Sequence, residues 1–575
     1  MTAVTAKFAV LAAVSACLAA CATTQQPTMF ASATGGPVSA APMGSGPSSS
    51  SQTGGDEASS PAKGNKSKPK AASLARSSIP ETAGSPASPS TGGAAPAKSA
   101  VSALNAASAV NARAGDGSTP LQWAVYNGDT AEVARLIKAG ADVTLANSYG
   151  AAPMSLAAQT GNAEIIKLLL KAGADVESAN AEGQTALMSV ARTGNVEAAK
   201  LLLAHGANVN ARETWGQQTA LMWAAAQKQP EMIKLLVQHG ADVNARGVVR
   251  NWDRKVTAEG RPKDMNRGGF TPLLYAAREG CVACVDELLK GKADINLEDP
   301  HGTTPLVLAL MNMNFDTAKF LIEKGADISL WDYYGQSPLY VAVDMHTVPA
   351  GFRADVPSTD NTESMDIIRM LLDRGANVNV QLKLRPPVRS LLPGDRGADV
   401  RVLTTGATPL MRAAVAADVE VMEVLLKHGA LVDLPLSDGT TPFYATVLTA
   451  STRAKFKTED QALAAMRVLR AAGADPNART VDSTPLHTAT TRGWTKVMKE
   501  LVSYKVDINA KDLDGLTALD YAMARARIGF LQQKPPVRND LAKLLKDMGA
   551  NVENPNLPPW PSVPTPTITA QVPND

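Results

Sequence analysis

From about residue 108 onward, apolar residues come in pairs of short runs, each pair closed by a glycine and followed by a polar link. In one such pair the runs are Pro153-Met-Ser-Leu-Ala-Ala and Ala163-Glu-Ile-Ile-Lys-Leu-Leu-Leu, parted by a turn that contains glycine. This spacing predicts two short helices, each with one apolar face. Proline at the first helical position has its backbone already set for the helix and lacks an N–H that would go unpaired there. The glycine after the second run, as in Gly173-Ala-Asp-Val, suits the left-handed residue that ends a helix. The Asp- and Asn-rich link that follows predicts a turn.

The tripeptide Thr-Pro-Leu, or a close variant, opens each pair. It starts at Thr119, Ala152, Thr185, Thr219, Thr271, Thr304, Ser337, Thr408, Thr441, Thr484 and Thr517, with gaps of 33, 33, 34, 52, 33, 33, 71, 33, 43 and 33 residues. A repeated period of 33 residues means one supersecondary unit stacked many times. Such a chain offers an extended surface rather than one deep pocket, so binding is expected before chemistry.

These units resemble the ankyrin repeat. The family pattern Asp-x-x-Gly-x-Thr-Pro-Leu-His-x-Ala-Ala-x-x-Gly survives best as Asp482-Ser-Thr-Pro-Leu-His487 and Asn147-Ser-Tyr-Gly150-Ala-Ala-Pro153. The resemblance covers residues 108–553 in eleven units. It implies an all-α repeat solenoid of helix–turn–helix units joined by β-hairpin fingers, stacked into a curved array, with a recognition role mostly toward proteins. The chain departs from the pattern at several points. The motif histidine is kept only at His487, and Lys292 and Lys505 stand where the post-helix glycine belongs. Those two turns are expected to be strained or built differently. Long gaps place insertions near 247–267 and 381–406, which extend fingers, and near 345–363, 449–460 and 526–538, between helices.

The N-terminal sequence speaks to location. Residues 1–21 read as a targeting leader, with Lys7 at the positive end and an apolar stretch from Phe8 to Ala20. Leu18-Ala19-Ala20-Cys21 looks like a bacterial lipobox, which makes Cys21 the acylated first residue of the mature chain; an ordinary signal peptide is the alternative. A multiply acylated cysteine suffices for stable anchoring. Ala22 after the cysteine resembles outer-membrane sorting, so the expected place is the cell envelope, facing the periplasm. Residues 22–107, rich in Ala, Ser, Pro, Gly and Thr, are expected to be a disordered tether with a mean reach of about 50 Å. The tail, 554–575, is proline-rich around Pro558-Pro559-Trp560-Pro561 and is expected to be extended.

Net charge is +2, which argues against wholesale nucleic-acid binding. Of four cysteines, Cys17 leaves with the leader and Cys21 is acylated, so Cys281 and Cys284 remain. At helix spacing these two can meet. A local disulfide or two reduced side chains is expected, with a redox-active pair as the alternative. The six histidines have framework or turn positions: His205, His239 and His428 each precede the repeat glycine. No nucleotide loop, nucleophile elbow or metal-ligand spacing appears, so no enzyme, cofactor or metal site is expected.

Aromatic residues make up only 4% of the chain, so their placement is informative. The family resemblance implies partner-facing slots on the first helix and at the finger tip. Trp123, Trp223 and Tyr275 fill the helix slot, with Tyr126, Arg192 and Arg278 on the same side. Tyr149, Trp215, Tyr333 and Tyr334 fall at finger tips, and Trp252, Arg254 and Lys255 in the first long finger insertion. Buried Trp, Tyr and Arg are the usual anchors of interfaces. Both long finger insertions are net basic, which suggests an acidic partner. The expected function is a monomeric, non-catalytic scaffold for a protein or peptide. The alternatives are a carbohydrate or cell-wall binder and a thiol-redox accessory protein.

Overall fold

The computed structural model describes residues 109–250, 267–347, 360–384, 386, 405–448, 457–525 and 537–551. The leader, the tether, the tail and most of each insertion lie outside them. The described residues belong to one unit of the fold. Among them, 22 α-helices pair off along the chain into eleven helix–turn–helix units. The first four units are α1 (Pro120–Tyr126) with α2 (Thr130–Lys138), α3 (Pro153–Thr160) with α4 (Ala163–Lys171), α5 (Ala186–Thr193) with α6 (Val196–Ala204), and α7 (Ala220–Ala226) with α8 (Pro230–Gln238). The middle units are α9 (Pro272–Glu279) with α10 (Val282–Lys290), α11 (Pro305–Met311) with α12 (Phe315–Glu323), α13 (Pro338–Thr347) with α14 (Ser364–Asp373), and α15 (Pro409–Ala416) with α16 (Val419–Lys427). The last three are α17 (Pro442–Ala445) with α18 (Glu459–Ala471), α19 (Pro485–Arg492) with α20 (Thr495–Ser503), and α21 (Ala518–Ala522) with α22 (Asn539–Asp547). Because α13 runs on to Thr347, the start of the insertion expected at 345 is helical.

Where the repeated threonine is present it starts most of the first helices by a specific bond. The hydroxyls of Thr119, Thr185, Thr219, Thr271, Thr304, Thr408 and Thr441 each accept the backbone N–H three residues on. A cap of this kind contributes about 1 kcal/mol. Ala152 has no such side chain, and α3 starts without a side-chain cap. Second helices use Asp129, Asn162, Asn195 and Asp418 in the same way.

After the second helix the chain needs a left-handed residue, and Gly140, Gly173, Gly206 and Gly240 supply it at φ of 88°, 85°, 87° and 83°. Lys292 and Lys505 take the same conformation, at φ of 67° and 61°. Of the two outcomes open from the sequence, the turn geometry is therefore kept and the side chain bears the strain, roughly 1 kcal/mol each. The turn between helices is equally tolerant: Lys228, Met313 and Ala417 hold φ of 56°, 60° and 57° there.

The first helices pack one on the next from α1 through to α17, and the second helices do so from α2 through to α20. The core is the continuous seam between these two rows, filled by residues such as Leu121, Met154, Ile165, Leu187, Met222, Tyr340 and Phe443. Because each unit buries its apolar face only against its neighbours, stability is a property of the stack.

The fingers are tight turns. Asn147, Asn180, Asp299, Asp332 and Asp512 each accept two N–H groups of their own turn, which explains the acidic and amide residues of the link. Neighbouring tips are tied by backbone bonds: Ser148 N–H donates to Asp116 O at 3.1 Å, Thr214 to Glu182 at 3.1 Å, and Tyr333 to His301 at 2.7 Å. The fingers expected as hairpins carry, among the described residues, one isolated antiparallel bridge, Val249 to Gly268. A second ladder runs at the finger bases, where Asn111, Asn210, Asn244 and Asn296 accept N–H groups of the following unit at 2.8–2.9 Å. No helix among the described residues is long and apolar enough to cross a membrane.

Candidate interaction surface

The first helices put aromatic and arginine side chains into one row. On α1, Trp123 and Tyr126 are half-buried and meet edge to face at 6.1 Å. Arg192 in the last turn of α5 reaches over Trp223 of α7, its guanidinium 5.9 Å from the ring centroid. On α9 the pattern recurs, with Arg278 5.1 Å from the Tyr275 centroid and 5.8 Å from that of Phe270. A guanidinium on a ring face combines electrostatic attraction with dispersion and fixes the plane of the fork.

Exposure then separates these residues. Tyr275 is buried, its hydroxyl accepts the Gln218 amide at 2.7 Å, and burial pushes its pKa up. It therefore braces units four and five, while Arg278, paired to Glu279 at 2.8 Å, stands over it. Trp223 is half-buried, and its indole N–H is buried without an acceptor among the described residues. At the finger tips Trp215 is 63% exposed, Tyr333 58% and Tyr149 48%, whereas Tyr334 is buried and packs edge to face on Tyr333 at 5.3 Å. Trp252, Arg254, Lys255 and Cys21 lie outside the described residues.

Two cations add to the tip row in a way the sequence did not reveal. Arg250 stacks over Trp215 at 5.4 Å and donates to its carbonyl at 3.1 Å. Lys383 sits over Trp331 at 3.2 Å. Both cations belong to the long finger insertions, whose remaining basic residues fall largely outside the described residues.

Cys281 and Cys284 form a disulfide. Cys281 holds the N-cap of α10, where its sulfur accepts the Cys284 N–H at 3.2 Å, the bond that Asp or Asn supplies in other units. Both are buried. His205, His239 and His428 each bond through Nδ1 to the carbonyl four residues back, at 2.8–2.9 Å. His487 bonds Thr484 and the Leu516 carbonyl, and its burial lowers its pKa.

Toward the C-terminal units the first helices carry charges that answer one another. Arg412 of α15 meets Asp344 of α13 at 2.6 Å, and Arg525 meets Asp520 at 2.8 Å, all four nearly buried. Beside the first pair, His346 sits with Nδ1 2.7 Å from the Ser364 hydroxyl and Nε2 3.1 Å from Asp418. The Asp418 carboxylate, supported by Glu420 and Glu363, raises the pKa of His346 against the opposing pull of burial. Burial pushes Asp418 upward, yet His346 and the Val421 N–H outweigh it and hold its pKa below the ordinary value. No group of three or more His, Cys, Asp or Glu among the described residues is placed to hold a metal ion.

Stacked helix pairs with finger turns, carrying a row of aromatic and arginine side chains, define a repeat protein of the interaction-scaffold type. Models of known protein families agree. The family model for ankyrin repeats (3 copies) matches residues 94–180, 175–247, 273–382 and 457–556, and that for the single ankyrin repeat matches 405–435. The chain belongs to the ankyrin repeat family. A similar solved structure is the ankyrin repeat domain of Bcl-3, a unique member of the IkappaB protein family; it is 26% identical, and the match covers 45% of this chain and 100% of that one, with a TM-score of 0.35. No curated protein matches the chain. Ankyrin repeats generally mediate protein–protein contact and are generally not catalytic.

Proposed function

We propose that this chain is a non-catalytic scaffold of the bacterial cell envelope. An acylated Cys21 anchors it, and it faces the periplasm. It recognises a protein or peptide through the first-helix row of its N-terminal units and the adjoining finger tips. The carrying observation is the aromatic–arginine row: Trp123, Tyr126, Arg192, Trp223 and Arg278 on consecutive or near-consecutive first helices. Large rigid rings and fixed guanidinium forks are the side chains that dominate protein interfaces. A carbohydrate platform would need bare ring faces in a row. Here the faces of Trp223 and Tyr275 carry Arg192 and Arg278, which favours protein. A thiol-exchange role is less well supported, since Cys281 and Cys284 are buried and occupied in capping a helix.

The test is capture from a detergent-solubilised envelope by the full chain and by its Trp123→Ala and Trp223→Ala variants. The expected result is one or a few polypeptides held by the wild type and lost, wholly or largely, with either variant. Equal capture by all three, or capture of cell-wall glycan alone, would contradict the proposal. The location is tested apart: Cys21→Ser should move the protein out of the membrane fraction.

A further inference from the structure

Arg192 is the one charged residue in α1, α3, α5 and α7. It is half-buried, and burial alone acts on its charge, pulling its pKa down with no carboxylate near enough to oppose the effect. No hydrogen bond or ion pair to a described residue engages its guanidinium. Other buried or part-buried arginines on or next to the first helices are answered. Arg278 has Glu279 at 2.8 Å, Arg412 has Asp344 at 2.6 Å, and Arg525 has Asp520 at 2.8 Å. Arg492 donates to the carbonyls of Val447 and Leu448.

The surroundings of Arg192 narrow what it awaits. Trp223 holds one face of the fork and leaves its N–H edges unengaged. Ser189 lies three residues back on the same helix, hence on the same side, and is also only part-buried. The equivalent slots on the neighbouring first helices hold Gln159 and Ala226, which are neutral. A lone planar cation among neutral neighbours fits a singly charged, planar, two-oxygen group. A phosphate group carries about −1.5 to −2 charge, more than one guanidinium neutralises. A partly desolvated, unpaired charge costs free energy, which an anion offsets more fully than a neutral acceptor does.

We propose that Arg192 is the carboxylate anchor of this face: it takes the side chain of an Asp or Glu in an extended segment of the partner protein. Ser189 supplies a second donor, and Trp223 packs against the apolar part of the same segment. This rests on the protein-binding reading above, and gives that surface a chemical specificity.

The experiment selects a phage-displayed library of random dodecamer peptides on the full chain. Selected peptides are then measured against wild type, Arg192→Met, Arg192→Lys and Trp223→Ala by fluorescence polarisation. Circular dichroism confirms that each variant is folded. The expected result is enrichment of one Asp or Glu beside apolar residues. Amidating that residue (Glu to Gln, Asp to Asn) should weaken binding at least about tenfold on wild type and less than about twofold on Arg192→Met. Arg192→Lys keeps the charge but not the fork and should fall between. If Trp223→Ala abolishes binding while Arg192→Met and the amidated peptide bind as before, the anchor is wrong and the protein-binding face stands. If no selected peptide depends on either residue, both are wrong.

Discussion

Arg192 and Arg412 both stand on first helices of the same repeat frame, and the protein treats them in opposite ways. Arg412 is enclosed and meets Asp344 of the preceding first helix at 2.6 Å. Arg192 is half in water, stacked on Trp223, and has no carboxylate to meet. The C-terminal units thus spend their polar side chains on one another: Asp344 with Arg412, Asp520 with Arg525, His346 with Asp418. Among the N-terminal units Gln218 bonds Tyr275 and Arg278 pairs with Glu279, while Arg192 alone of their first-helix charges has no polar partner among the described residues. In a stack where every unit has much the same backbone, the proposed division of labour rests on this difference between a charge met inside the array and one left for a partner.

Removing one partner of the enclosed pair should produce the largest change. Arg412→Ala leaves Asp344 buried and unpaired, and should cost about 3–5 kcal/mol in urea unfolding followed by circular dichroism. Arg412→Met combined with Asp344→Leu should recover most of that, because no charge is then stranded. A single substitution as mild as the double one would mean that water already reaches the pair.

Acidity probes the same region more gently. The pKa of His346 is raised in the folded chain, so its contribution is full below its unfolded value near 6.5 and is lost as pH climbs through the folded value. The pKa of Asp418 is lowered, so its contribution holds above its unfolded value near 3.8 and is lost as pH falls through the folded one. The contact between α13 and α16 should therefore be tightest at mildly acidic pH. Urea midpoints compared at pH 5.5 and pH 8 should show the difference, and His346→Gln should flatten it. A midpoint in the variant that still falls with rising pH would assign the effect to other groups.

Backbone strain is a smaller term. Lys292→Gly and Lys505→Gly relieve a left-handed lysine, partly offset by a looser unfolded chain, and each should raise stability by roughly 0.5–1 kcal/mol. Smallest of all is the effect of Arg192→Met on folding, within about 0.5 kcal/mol in the same assay, since no hydrogen bond or ion pair to a described residue is lost and relief of the part-buried charge offsets the lost contact with Trp223. A large loss there would reveal a structural partner for Arg192 and erase the contrast with Arg412.

Much of this fold is legible in the sequence because its determinants are local. Threonine caps, proline at the first helical position and left-handed glycine act within a few residues of themselves, and the period of 33 multiplies the signal. Even the histidines before the repeat glycine read correctly as framework groups. What the sequence conceals is contact between units. Gln218 bonds Tyr275 across 57 residues and Arg412 bonds Asp344 across 68, both spanning insertions that break the period. Tyr275 shares its slot with the half-buried Trp123 and Trp223, and Tyr334 neighbours the exposed Tyr333, yet both tyrosines are buried, with Phe270 and Tyr333 packed edge to face on them. The Asp344–Arg412 pair did leave a trace: Asp344 lies seven residues after Ser337 and Arg412 four after Thr408, so aligned first helices of units seven and eight carry opposite charges about one helical turn apart.

Partners should meet the first helices of the N-terminal units and not those of the C-terminal ones. Photo-cross-linking in cells that make the protein tests this whatever the partner is. A benzophenone amino acid would be placed at Ser189 on α5 and, separately, at Thr488 on α19, both part-buried first-helix positions. The expected result is a discrete, light-dependent adduct from position 189 and none from position 488. An adduct at 488 alone, or equal adducts at both, would contradict the division of labour between the two ends of the stack.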